Sequence, residues 1–187
     1  SAPISYLSDF MSFPVDILVT EHKLILQAID RLNIEIEKIR SSEAVNPNFI
    51  ATAVDFFRTY ADRFHHGKEE GILFKALSQK KLGESDHKVM TELMLEHASA
   101  RRTVSALENA KEKYVSGNKE ALKEVLDLLA ALVKLYPTHI EKEDKHFFYP
   151  CMDYFTEAEK QDMLASFLAF NEKFTDKRYK QIIDSLP

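Results

Sequence analysis

Cysteine is nearly absent, with Cys151 the only one among 187 residues. A single thiol excludes an intramolecular disulfide framework and any thiolate-rich zinc or iron–sulfur site. Glycine and proline are also scarce, at 4 and 6 residues. They fall mostly at apparent boundaries, which favours long helices over a turn-rich β fold. No apolar run approaches the length of a membrane span. The opening residues, Ser1-Ala2-Pro3-Ile4-Ser5, lack a basic stretch followed by an apolar one, so the cytoplasm is the expected location. Lys and Arg are scattered through a chain of net charge −5, which speaks against a nucleic-acid surface. Neither nucleic acid nor membrane is an expected partner.

Hydrophobic residues make up 45% and charged residues 29%, ordinary for a soluble globular protein. The length suits one domain spanning 1–187 with a sizeable core. Pro14 can open a first helix, along which apolar positions recur at Val15, Leu18, Val19, Ile25, Leu26, Ile29, Leu32, Ile36 and Ile39. Asn46-Pro47 reads as a cap followed by a proline at the first helical position. The second stripe runs through Ile50, Val54, Phe57, Ala61, Phe64, Ile72, Leu73 and Ala76 to Gly83. Ser85 can cap a third helix with Met90, Leu93, Met94, Val104, Leu107 and Tyr114 inward, broken at Gly117-Asn118. The fourth carries Leu122, Val125, Leu129, Leu132, Val133, Tyr136, Ile140 and Phe147. Thr156 and Glu159 form a capping box that opens a fifth, about 156–185, with Met163, Leu164, Phe167, Phe174, Ile182 and Ile183. The expected fold is all-α: an antiparallel up-and-down four-helix bundle over about 14–150, with an additional C-terminal helix against its outside.

Polar residues interrupt these stripes on the inward face. His22 falls between Val19 and Ile25, and His97 between Met94 and Val104. His65 and Glu69 are four apart on the second helix, as are His139 and Glu143 on the fourth. A buried histidine needs a hydrogen-bonding partner, and an unpaired buried carboxylate is costlier still. Six such groups call for a common partner, and a metal is the economical one. Depth supports this. His22 lies 18 residues before position 40 and His65 18 after position 47; Glu69 and His97 lie 14 on either side of Gly83; His97 and His139 lie 20 and 22 on either side of Gly117. Equal rise along antiparallel helices then brings the ligands of all four helices to about one level.

Imidazole and carboxylate without sulfur suit iron, manganese or zinc. Four nitrogens and two bridging carboxylates supply about eight bonds where two octahedral ions need about twelve, so open positions remain for water, an oxo or hydroxo bridge, or a small molecule.

The run His65-His66-Gly67-Lys68-Glu69-Glu70 resembles the HHxxEE signature of the hemerythrin-like, or HHE cation-binding, family. His139-Ile140-Glu141-Lys142-Glu143-Asp144 is similar to its later HxxxE element. His22 in Thr20-Glu21-His22 and His97 in Leu95-Glu96-His97 match its isolated histidines. The resemblance implies two iron ions, oxo- or hydroxo-bridged, with manganese or zinc as possible substitutes. It implies His22, His65, His97 and His139 as terminal ligands, and Glu69 and Glu143 as bridges. The implied partner is a diatomic ligand (O2 or NO) or peroxide, bound or sensed, or the protein handles iron. Oxygen carriers of the family bear a second histidine four residues after the one matching His97, where this chain has Arg101, and a final carboxylate at the position of Asp144. The four-histidine, two-glutamate set looks more like proteins that repair iron centres or sense iron, so whether the chain is an oxidoreductase stays open. A plain helical interaction module with incidental histidines is the remaining class.

Several alternatives accompany this reading. His66 with Glu70 is a rival pair that sits off the apolar stripe, where a contact behind the ligands or solvent is the expected fate. Asp144 is the rival of Glu143. Glu84–His87 and Glu143–His146 also fit the Glu-x-x-His spacing of ferritin-like bundles, but His87 and His146 are expected at the surface. Tyr60, Tyr136 and Tyr149 either approach the site or simply pack. Arg101 either approaches it or turns outward. Pro137 is expected to kink the fourth helix, and Cys151 to be an inert packed thiol.

Overall fold

A computed structural model describes residues 13–174. The opening pentapeptide and the predicted inward positions Ile182 and Ile183 lie outside the described residues. Within them the chain is all-helical, with five helical runs and no strand. Helix α1 spans Asp16–Ser42. The second run, α2, starts at Pro47–Phe56, winds as π-helix over Phe57–His66 and Glu69–Phe74, and closes with Lys75–Leu77. Helix α3 is Glu84–Val115. The fourth run, α4, is Ala121–Lys142, continued by a π-helical turn at Glu143–Phe147 and short turns at Phe148–Cys151 and Met152–Tyr154. Helix α5 is Glu157–Lys173.

The punctuation explains most of these bounds. Asn46 caps α2, its Oδ1 accepting from the backbone N–H of Asn48 at 3.1 Å and Phe49 at 3.3 Å, with Pro47 at the first helical position. Thr156 and Glu159 close a reciprocal capping box on α5. The turn after α3 needs the left-handed backbone of Gly117, at φ 97°. Two expectations need correction. Ser85 lies inside the first turn of α3, whose cap is Gly83 without a side-chain hydrogen bond. Met94 is exposed, and the buried seam of α3 runs through Met90, Leu93, His97, Ala100 and Val104 instead.

Helices α1, α2, α3 and α4 pack each on the next, and α4 packs on α1, as in a helical bundle. Helix α5 rests on the Glu69–Phe74 stretch of α2, and an added Cβ at Gly67 would meet the Phe170 ring at 3.1 Å. The interior divides into two apolar clusters. One contains Ile25, Leu32, Phe64, Ala100, Val104 and Tyr136. The other contains Leu18, Leu73, Leu93, Phe147, Phe148 and Phe167. Each fully buried Leu or Phe contributes about 1.5–3 kcal/mol. On every one of the four helices the predicted polar residues sit where one cluster ends and the other begins. They form a polar layer across an otherwise apolar core.

Candidate metal centre

The structure brings all six predicted residues together. His22, His65, Glu69, His97, His139 and Glu143 are each at most 2% exposed. Glu69 Oε1 lies 2.8 Å from His65 Nε2 and 3.8 Å from His22 Nε2, while its Oε2 lies 3.2 Å from His97 Nε2. Glu143 is arranged the opposite way: Oε2 is 3.2 Å from His22 Nε2, and Oε1 is 3.1 Å from His139 Nε2 and 3.8 Å from His97 Nε2. Each carboxylate therefore turns one oxygen toward the His22–His65 pair and the other toward the His97–His139 pair. Those pairs stand edge to face, with ring centroids 4.6 and 4.8 Å apart.

Despite these approaches, both oxygens of Glu69, both of Glu143 and His22 Nε2 are buried without a hydrogen-bond partner. The four shorter contacts, at 2.8, 3.1, 3.2 and 3.2 Å, have the separation of hydrogen bonds but not the direction. Leaving five such atoms orphaned costs about 1–3 kcal/mol each, more for charged groups, and a bound cation offsets that cost. Two groups have ligand atoms within 4.8 Å of one another: His22, His65, Glu69 and Glu143; and His66, Glu69, His97 and His139.

The far side of each ring is equally specified. Glu21 on α1 accepts from His65 Nδ1 on α2 at 2.9 Å. Glu70 on α2 accepts from His97 Nδ1 on α3 at 2.7 Å. Glu96 on α3 accepts from His139 Nδ1 on α4 at 2.7 Å, and Asp144 on α4 accepts from His22 Nδ1 on α1 at 2.7 Å. Each helix thus holds the histidine of the next, in a closed ring. Three of these carboxylates are backed by cations. Lys68 pairs with Glu21, Arg101 Nη2 donates to Glu70 at 2.7 Å, and Lys142 donates to Glu96 at 2.7 Å. Such partners hold the Nδ1–H tautomer and leave Nε2 as the inward donor atom.

Electrostatics points the same way. Burial opposes charging His22, yet Asp144, Glu143 and Glu69 hold its pKa well above the ordinary histidine range. His97 is raised similarly, against burial, by Glu143, Glu69 and Glu70. His139, also opposed by burial, is pushed up to about 9 by Glu143 and Glu96. Glu69 is held well below the carboxylate range, against burial, by His65, His22 and His97. Glu143 is lowered by His139 and His22 in spite of burial and the charge of Glu69. Carboxylates that strip the cost from nearby positive charge to this degree suit a cation between them.

A family model described as the hemerythrin HHE cation binding domain matches residues 14–151. The chain belongs to this family. Comparison with curated proteins and with solved structures finds no match. Helix α5 of this hemerythrin-like chain lies beyond the matched residues.

The rival readings separate on geometry. Asp144 holds His22 from outside, so Glu143 is the inward carboxylate. Glu70 likewise serves His97 from behind. His66, expected off the stripe, is buried at 1% exposure; its ring stacks on His97 at 3.7 Å, and its Nδ1 faces Asp62 Oδ1 at 3.2 Å. Burial and the charge of His97 push its pKa down to about 3, keeping the ring neutral. Arg101 neither enters the site nor turns away, for it clamps Asp62 through Nε at 2.8 Å and Glu70 through Nη2. Tyr136 stacks against His66, whereas Tyr149 donates to Asp16 at 2.7 Å. His87 and His146 are exposed, and Cys151 is buried with its thiol pushed up to about 12, chiefly by burial. A small cavity of about 50 Å³ opens beside Asp62, His66, Arg101 and Tyr136, while a larger one of about 250 Å³, lined by Ala28, Leu32, Phe49 and Phe56, touches none of the site residues.

From the sequence, Glu70 is reached as a contact behind the ligands and Asp144 only as the rival of Glu143; Glu21 and Glu96 are missed, although all four carry a signal. Each is the immediate neighbour of a ligand candidate: Glu21 of His22, Glu70 of Glu69, Glu96 of His97 and Asp144 of Glu143.

Proposed function

We propose that this chain is a non-haem di-iron protein of hemerythrin type that binds or senses O2, NO or peroxide. In this reading residues 1–187 form one domain, an antiparallel up-and-down four-helix bundle with α5 braced against the α2 ligand segment. His22 and His65 would hold one ion and His97 and His139 the other, with Glu69 and Glu143 each turning an oxygen toward both pairs. The observation that carries the reading is the set of orphaned atoms, since the chain buries five acceptors in one layer and leaves all of them without hydrogen bonds. Iron bound there would supply one-electron chemistry and a place for a small ligand. The protein supplies the remainder. The Glu21, Glu70, Glu96 and Asp144 carboxylates fix ring orientation, and the two apolar clusters exclude bulk water and hold the donor atoms apart from competing partners.

The test is anaerobic ferrous titration of metal-free protein with elemental analysis. About two irons per chain, with near-ultraviolet charge-transfer bands after oxidation, is the expected result. Failure to bind about two rejects the reading, and preferential retention of manganese or zinc redirects it to that metal.

A second reading is an oxidoreductase acting on NO or peroxide, or repairing iron centres, at the same residues. Arg101 favours it: the carriers' extra histidine is replaced here by a cation clamped to Asp62 and Glu70. Turnover with a reductant separates the two readings; ligation without turnover leaves the first.

A further inference from the structure

We propose that α5 acts on the metal centre through Lys68, a positioning residue that holds and charges the His22–His65 half. The inference rests on the dinuclear reading above and gives a role to a helix which that reading leaves as a brace. Lys68 lies on α2 between Gly67 and Glu69, with its side chain fully buried. Its Nζ pairs with Oε2 of Glu21, whose Oε1 accepts from His65 Nδ1 at 2.9 Å. The same Nζ donates to Asn171 Oδ1 of α5 at 2.7 Å. Asn171, Lys68, Glu21 and His65 thus form one continuous chain of polar contacts from α5 to an inward imidazole.

The packing around Lys68 is fitted to this contact. A Cβ at Gly67 would press on the Phe170 ring at 3.1 Å, so glycine there lets α5 approach the turn that carries Lys68. The Phe64 ring lies 3.5 Å from the ammonium and meets Phe170 of α5 at 6.3 Å, which closes the apolar side of the cradle. No other ring carboxylate is held in this way. The cations behind Glu70 and Glu96, Arg101 and Lys142, are 41% and 23% exposed, and Asp144 pairs with no lysine or arginine among the described residues. Water and salt screen the first two, whereas a charge without solvent contact acts at low dielectric. Lys68 therefore biases one half of the centre. It fixes Glu21, so that His65 keeps its Nδ1–H tautomer and its aim, and its positive charge favours the lower oxidation state of a metal held there.

The experiment compares Lys68→Met, Asn171→Leu and Asn171→Asp with the native full chain. In cobalt(II) titrations read by the hyperfine-shifted Nδ1–H protons of the ligated imidazoles, Lys68→Met should weaken the His22–His65 half roughly 10-fold or more and leave the other half within about 3-fold of native affinity. Asn171→Leu should act in the same direction with smaller size. Asn171→Asp keeps the hydrogen bond and offsets the charge, so affinity should stay within about 3-fold of native. In iron-loaded protein, spectroelectrochemistry should place the midpoint potential of Lys68→Met and of Asn171→Asp below the native one, a shift that a merely structural role would not produce. Circular dichroism checks each fold, and Asn171→Leu serves where Lys68→Met does not fold. Variants that keep native affinity, weakening spread evenly over both halves, or a potential that no variant moves overturns the role of Lys68 and α5 and leaves the dinuclear reading intact. A native protein that takes up no metal overturns both.

Discussion

Replacing Lys68 by Met tests whether the ring of outer charges stabilises the fold as well as the ligands. The Lys68 side chain is fully buried, an unusual place for an ammonium. Its Nζ pairs with Glu21, donates to Asn171 Oδ1 of α5 at 2.7 Å and lies 3.5 Å from the centroid of the Phe64 ring. Methionine keeps the length and removes the charge, leaving Glu21 with His65 Nδ1 as its remaining partner of the two. Removing one member of a buried ion pair costs about 3–5 kcal/mol. The Glu21 side chain is 10% exposed, so some water reaches the stranded carboxylate. Buried methionine also recovers part of the loss, and the lower end of the range, about 3 kcal/mol, is the expected cost. For a chain of this size that lowers Tm by roughly 6–12 °C. The assay is urea unfolding of metal-free protein followed by far-ultraviolet circular dichroism. A double-mutant cycle with Glu21→Gln should return a coupling of about 1–3 kcal/mol. A Lys68→Met protein within about 1 kcal/mol of the native one, or more stable than it, refutes the reasoning.

Converting His65 and Glu69 to Leu together should abolish metal uptake and raise metal-free stability by about 1–4 kcal/mol, because buried polar groups give way to apolar contacts; calorimetry beside elemental analysis checks both halves. In metal-free protein the raised histidines contribute stability that is full below about pH 6.5 and lost as pH climbs, for His139 through about 9. The lowered Glu69 and Glu143 contribute stability that is present above about pH 4.5 and lost on acidification, and depressed His66 adds a smaller loss below about 6.5. Metal-free Tm should therefore peak at about pH 5–6.5 and fall toward 9, whereas metal-loaded Tm should rise from about 6 to 8 as protons cease to compete for the ligands; a metal-free protein that gains stability from about pH 7 to 9 contradicts the assignment. Arg101 is 41% exposed, so Arg101→Leu should change folding stability by less than about 1 kcal/mol. It should nevertheless weaken the ion at His97 and His139 about 10-fold, because Glu70 loses its clamp; competition with a chromogenic chelator reads this directly.

The linear chain determined the helices and the inward residues. Asn46-Pro47, Gly117 and the Thr156–Glu159 pair act within a few residues of themselves, and apolar spacing identified His22, His65, Glu69, His97, His139 and Glu143 as polar groups on buried faces. Local hydrogen bonding and helical period are properties of short segments, so they are legible without a fold. Which carboxylate stands behind which histidine is a different kind of fact. Glu21 reaches His65 across 44 positions and Asp144 reaches His22 across 122, and only the packing of α1 against α2 and α4 makes those pairs. The position of His66 also depends on the fold, because π winding around a packed layer overrides the 3.6-residue period that had placed it off the stripe. The buried Lys68 is the third such case: α5 brings Asn171 to it from 103 residues away, completing the cradle of a buried charge.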